Sequence, residues 1–131
     1  MTVSHAASAL NAATDAVTAL LGTNARLKFH PTGATIATPG TVIANLALSV
    51  GASGGFGAAA AGVATAGAIT SDTNAAGGTV AFATLQTSGS AAIILCQVAA
   101  SGSDINMTGG LVVAAADTVS CSALTYKAIP Q

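Results

Sequence analysis

Thr79–Val98, TVAFATLQTSGSAAIILCQV, decides how the rest of the chain is read. It predicts two β-strands joined by a tight turn at Thr87–Ser90, with Gly89 supplying the positive φ of a short hairpin. By the two-residue period of a strand, Val80, Phe82 and Thr84 share one face of the first strand. On the second, Ala92, Ile94, Cys96 and Val98 share a face, and Ala91, Ile93, Leu95 and Gln97 share the other. Both sets are largely apolar, whereas a half-exposed strand alternates apolar and polar residues. Either this strand is central, with both faces covered by the protein itself, or one face is covered by another chain.

The chain around this hairpin has 131 residues, enough for one domain with a sizeable core. Only 5% of its residues are charged, against about 25% in an average soluble protein. Copies of such a chain repel one another weakly, so a packed assembly is expected. The near-zero net charge excludes the basic stripe that nucleic-acid binding needs. The high hydropathy comes largely from Ala, interrupted by Gly, Ser and Thr. The strongest aliphatic run, Ala91–Val98, is far shorter than the roughly 20 residues of a spanning helix. The N-terminus lacks a positive n-region and carries Asp15 where an apolar stretch would continue, so it does not read as a signal peptide. Synthesis in a cytoplasm is the resulting expectation, with Cys96 and Cys121 as reduced, buried small hydrophobes rather than a disulfide.

Taken in order, residues 2–21 predict a helix, capped by Thr2 or Ser4 and ended by Gly22. Val3, Ala6, Leu10, Ala13, Val17 and Leu20 form an apolar stripe, opposite Ser8, Asn11, Asp15 and Thr18. The stripe suits a helix lying on its own sheet, or else an N-terminal arm reaching a neighbouring subunit; the first is favoured. The chain thus divides into a helix or arm, residues 1–24, and a β-domain, residues 25–131. Arg26–His30 is the first strand, with Leu27 and Phe29 inward and Arg26, Lys28 and His30 toward water or a partner. Thr41–Val50 follows as a strand anchored by Val42, Leu46 and Leu48, then the low-complexity stretch Gly51–Gly62 around Phe56. Val63–Thr70 is a strand and Ser71–Gly78 a loop. After the hairpin come a turn at Ser101–Ser103 and short strands at Asp104–Met107 and Leu111–Ala114. The last strand, Thr118–Ala128, needs a bulge near Ser122 and Ala123 to turn Val119, Cys121, Leu124 and Tyr126 all inward. Seven to nine short strands at this turn spacing, behind an N-terminal helix, predict a mainly β fold of β-sandwich or jelly-roll type.

The residues themselves offer no catalytic signature. The Gly51–Gly62 stretch has neither a Gly-Lys-Ser/Thr pattern nor complete GxGxxG spacing, so it is not a phosphate cradle. His5, His30, Cys96 and Cys121 lack the short pair spacing of zinc modules. No nucleophile elbow marks any of the many serines. The aspartates sit mostly beside Ser, Thr or Asn and read as turn and cap residues. Asn106-Met107-Thr108 matches a glycosylation sequon, which carries little weight without a secretory signal. No metal or cofactor is implied, and an enzyme is the least supported class.

Arg26–Gly33 (RLKFHPTG), Leu46–Asp72, Ser101–Met107 (SGSDINM) and Thr118–Ala128 resemble, in order, a family of small virion structural proteins of tailed bacteriophages. In that family an N-terminal helix precedes a strand ending in Thr-Gly, and a strand of Leu-x-Leu-Ser type leads through a Phe-Gly segment to Ala-Ile-Thr-Ser-Asp. At Leu95 this chain is apolar where the family tends to be polar or acidic, which points to a partner particular to this chain. The resemblance implies a capsid decoration, or cement, protein. It would lie on the outer surface of the assembled head, bound to the major capsid protein and bridging capsomers. A tail- or fibre-associated protein contacting a host surface is the alternative. An ice- or carbohydrate-binding β-domain lacks the regular Thr spacing it would need. Self-association, with a homotrimer first, is expected through Ile93, Leu95 and Leu85 of the hairpin and Val3, Leu10 and Val17 of the helix. No nucleic-acid or membrane partner is expected.

Overall fold

A computed structural model describes residues 3–129 and contains one α-helix and nine β-strands among them. In chain order these are α1 (Ala7–Ala19), β1 (Arg26–His30), β2 (Ala44–Ala47), β3 (Val63–Thr65), β4 (Gly78–Thr79), β5 (Phe82–Gln86), β6 (Ala92–Ala99), β7 (Ile105–Asn106), β8 (Val112–Val113) and β9 (Thr125–Lys127). The fold is mainly β with an N-terminal helix. Five strands form one curled sheet in the order β2-β1-β5-β6-β7, and the remaining four form two-stranded ribbons, β3–β9 and β4–β8.

The register of the sheet sorts its side chains into two faces. Leu27 lies opposite Leu46 on one side and Leu85 on the other, and Leu85 in turn lies opposite Ile94. Phe29 lies between Ala44 and Ala83, and Ala83 opposite Cys96. These residues make the inner face. All but Cys96 join Ala64 of β3, Val113 of β8, Val119, Phe56 and Ile43 in a single apolar cluster. Burying each large aliphatic side chain there contributes about 1.5–3 kcal/mol. The other face carries Arg26, Lys28 and His30 of β1, Phe82, Thr84 and Gln86 of β5, and Leu95 and Gln97 of β6.

The central hairpin forms as the sequence predicts, with one change in its turn. Ser90 donates its N–H to the Thr87 carbonyl, and the Thr87 hydroxyl accepts from the Ala91 N–H. The left-handed residue is Ser90 (φ 68°), not Gly89, which fits a three-residue loop ending in one left-handed position. Val80 and Ala81 fall outside β5, and Val80 donates instead to the Leu111 carbonyl beside the β4–β8 ribbon. A bulge falls between Leu85 and Gln86, where Ala92–Ile94 accommodate one extra residue. At the other end of the β-domain the expected bulge is absent. The strand breaks after Val119, and residues 120–124 run irregularly before β9. Val119, Cys121, Leu124 and Tyr126 all reach the core by that break.

The helix differs most from expectation. It is shorter than residues 2–21 and begins after Ala6, with no side-chain cap. Ser4 does not cap it, and Thr2 lies outside the described residues. Gly22 takes a positive φ just past its end, as expected. The side that docks is the polar one. Thr14 and Thr18 are buried, while Val3 is 74% and Leu20 62% exposed. The reason lies in what the helix meets. Residues 59–62 present backbone rather than side chains, so hydrogen-bonding residues fit them better than aliphatic ones. The Thr14 hydroxyl donates to the Gly62 carbonyl (2.6 Å) and accepts from the Ala128 N–H (3.2 Å). Asn11 Oδ1 accepts from the Gly62 N–H, and Asp15 Oδ1 from the Ala59 N–H, each at 2.8 Å. Gly62 has a positive φ, and a Cβ there would stand 3.0 Å from Leu10 Cβ, so only glycine allows this approach.

Candidate interaction face on the sheet

β6 is neither central nor fully covered. β7 pairs with it only at Val98 and Ala99, through a short parallel ladder. Among the described residues Ala92–Cys96 therefore form the open edge of the sheet. Ile93, Ile94, Leu95 and Cys96 are all half-buried. On the inner side Ile94 and Cys96 border an open groove of about 290 Å³ whose opposite wall includes Leu124, Tyr126 and Lys127. On the outer side Leu95 shares a row with Thr84 and Lys28 across three strands. The Lys28 ammonium reaches to the hairpin turn and donates to the Ser90 hydroxyl at 3.1 Å.

A buried polar chain shares this outer face with these residues. His30 is fully buried, correcting the expectation that it faces water or a partner. Alternation places it on the correct face but says nothing about what lies over that face. His30 Nδ1 stands 2.8 Å from the Thr41 carbonyl, which can only accept, so Nδ1 carries the proton. Nε2, 2.8 Å from Thr84 Oγ1, then accepts the Thr84 hydroxyl proton. Thr84 Oγ1 accepts in turn from Gln86 Nε2 at 2.8 Å. Burial, the largest influence, holds the His30 pKa below its ordinary 6.5. The Lys28 charge acts the same way, and the bond to Thr41 opposes them.

The residues expected at an interface are not all brought together. Leu95 lies on the outer face of β6, opposite Thr84, whereas Ile93 is the extra residue of the bulge and packs against the core cluster. Leu85 is 2% exposed on the inner face opposite Ile94, so it belongs to the core. Val3 is exposed, whereas Leu10 and Val17 are half-buried beside the docked side of α1. Arg26 and Lys28 belong with Leu95 by register, and the alternation of RLKFH is the signal that places them outward. Both cysteines are free. They are half-buried rather than fully buried. Burial, and then the Asp104 carboxylate, push the Cys96 thiol up to about 11. Burial also raises Cys121, against the lowering effect of the Ala123 backbone. Among the described residues no three His, Cys, Asp or Glu side chains gather to hold a metal ion. No helix among them is long and apolar enough to cross a membrane.

The chain matches no family model, no curated protein and no solved structure. A functional reading therefore rests on this face and on the residues that build it.

Proposed function

We propose that the protein is a phage virion structural protein, a decoration (cement) protein that binds the outer surface of the assembled head and bridges its capsomers. The observation that carries this reading is the open β6 edge, with half-exposed apolar residues on both faces, in a chain with 5% charged residues. Apolar surface of this kind in a protein with so little charge favours a bound state over a free one. Binding selective for the assembled shell then stabilises the shell by mass action. No catalytic step or cofactor belongs to this function. In this reading the ribbons β3–β9 and β4–β8 act as the second layer of a β-sandwich over the five-stranded sheet, supported by their shared core. Copies associate, a homotrimer being the expected closed form, through the β6 edge and the exposed Val3 that precedes α1.

Electron microscopy of intact virions that contain the chain tests the reading. Density on the head surface is the expected result. Density confined to the tail would replace it with the tail- or fibre-associated role. Leu95→Asp is expected to leave the fold intact and to weaken binding to assembled heads in a sedimentation assay. Unchanged binding by that variant would remove this face from the contact.

A further inference from the structure

The direction of hydrogen bonding along β6 shows which of its groups face the open edge. Val98 donates its N–H to the Ala81 carbonyl on the β5 side, and Gln97 donates the other way, to Asp104 Oδ2. Residues of an antiparallel strand alternate in this respect, so Ile94 and Cys96 turn to β5, while the Leu95 N–H and carbonyl turn to the open edge. Beyond Leu95 that edge is closed. Asp104 occupies the Gln97 N–H, and the Ala99 carbonyl accepts from the Met107 N–H. What remains is a short landing for one strand, residues 92–96. It runs beside the groove that has Ile94 and Cys96 on one wall and Leu124 and Tyr126 on the other. A second element has the opposite character. Residues 3–6 belong to no helix or strand, all four are exposed, and Ala6 has extended dihedrals (φ −65°, ψ 152°). They carry no charge at pH 7. Fully extended, they span about 13 Å, with Val3 and His5 on one side and Ser4 and Ala6 on the other.

We infer that residues 3–6 of one copy add as a strand to the β6 edge of the next, with Val3 entering the groove beside Ile94 and Cys96. The inference rests on the closed homotrimer proposed above, and the symmetry of that trimer selects the occupant. A threefold ring is built from heterologous contacts, in which one patch meets a different patch on the neighbour. Pairing of β6 with β6 is isologous and closes at two copies. The bulge at Ile93 also interrupts the flat ladder that such pairing needs. In a ring, β6 therefore meets another segment of the chain, one that is unpaired, extended and partly apolar. Residues 3–6 meet these conditions, and the other exposed large hydrophobics of the described residues do not. Leu20 caps the end of α1, and Ile36 sits in a turn closed by Thr35 and Thr38. Val50 borders the turn at Ala52–Gly55, and Val112 is already paired with Thr79.

The test uses the full chain with Val3→Cys, because the new thiol would lie beside native Cys96 of the neighbour, close enough for a disulfide. Sedimentation of the wild type is read together with copper-phenanthroline oxidation of the variant. The expected result is a trimer, and a disulfide between chains that Cys96→Ser abolishes. Leu20→Cys, equally open to solvent, is expected to form no such link. In hydrogen exchange the Leu95 amide is expected to be roughly tenfold slower in the wild type than in Val3→Asp, which frees the edge. A trimer without the link, or with a link that survives Cys96→Ser, overturns the inference and leaves the trimer standing. A disulfide within one chain also overturns it, since the occupant would then be the chain's own residues 3–6. A dimer that carries the Cys96-dependent link keeps the arm on β6 and removes the trimer. A wild type that sediments as a monomer at every concentration removes both.

Discussion

At the scale of residues, the most consequential arrangement is the line from Gln86 through Thr84 and His30 to the Thr41 carbonyl. It joins β1, β5 and the segment leading into β2 through groups that are almost wholly buried. Thr84→Val keeps the shape and removes the hydroxyl, leaving His30 Nε2 and the Gln86 amide without a partner. It is expected to cost about 2–4 kcal/mol in urea unfolding. The histidine also sets a pH dependence. Its native pKa lies below 6.5, so the unfolded chain binds the proton more readily. Stability is therefore unaffected by this group above that value and falls as pH drops through it. The loss stops growing once the native value is passed. Urea midpoints at about pH 7 and about pH 5 are expected to show this loss in the wild type and a smaller one in His30→Gln. Cys96 gives a separate check. With its thiol at about 11, it is expected to react slowly with disulfide reagents in the native protein, while both cysteines count as free after denaturation.

At the scale of elements, α1 shows where a pattern in sequence misleads. The apolar stripe from Val3 to Leu20 is real as a periodicity, yet the helix docks through Asn11, Thr14, Asp15 and Thr18. An apolar stripe identifies the docking side only when the partner surface is made of apolar side chains. Here the partner is the backbone of a glycine- and alanine-rich loop, invisible to a rule based on the helix alone. Thr14→Val is therefore expected to destabilise by about 2–4 kcal/mol, because it strands the Gly62 carbonyl and the Ala128 N–H. Leu20→Ser on the exposed side is expected to change stability by no more than about 0.5 kcal/mol. Urea titration of the pair reverses the ranking that the stripe implies. The hairpin is more legible. Its two strands and turn follow from alternation and from Ser88-Gly89. The left-handed position falls one residue later because the loop holds three residues rather than two.

At the scale of the whole molecule, the number of strands and most turns can be read from glycine, proline and aspartate punctuation. Pairing cannot, because it is set between segments far apart in sequence. Nothing local tells β3 to pair with β9, or β4 with β8. The outer face is half legible. RLKFH assigns Arg26 and Lys28 their side, but their alignment with Leu95 needs the register of three strands. Leu85 belongs to the core rather than an interface because the side it shares with Ile94 depends on the same register. Leu27 lies at the centre of that register, between Leu46 and Leu85, with no exposure. Leu27→Ala is expected to cost about 2–5 kcal/mol in a urea titration, among the largest single losses in the chain.

The Thr14 hydroxyl bonds both Gly62 and Ala128, so one helix side chain is held by a residue 114 positions further along. This fixes an order of events during synthesis. The helix is made first, but its seat is not finished until β9 and Ala128 have emerged. Until then Thr14, Asn11 and Asp15 can bond the loop at residues 59–62, but the Thr14 hydroxyl lacks the Ala128 N–H. Contacts spanning so much of the chain close slowly, since most of the loop entropy is lost before they form. Completion of the native state thus waits for Ala128 to be translated, and a nascent chain stalled before it lacks one anchor of its helix.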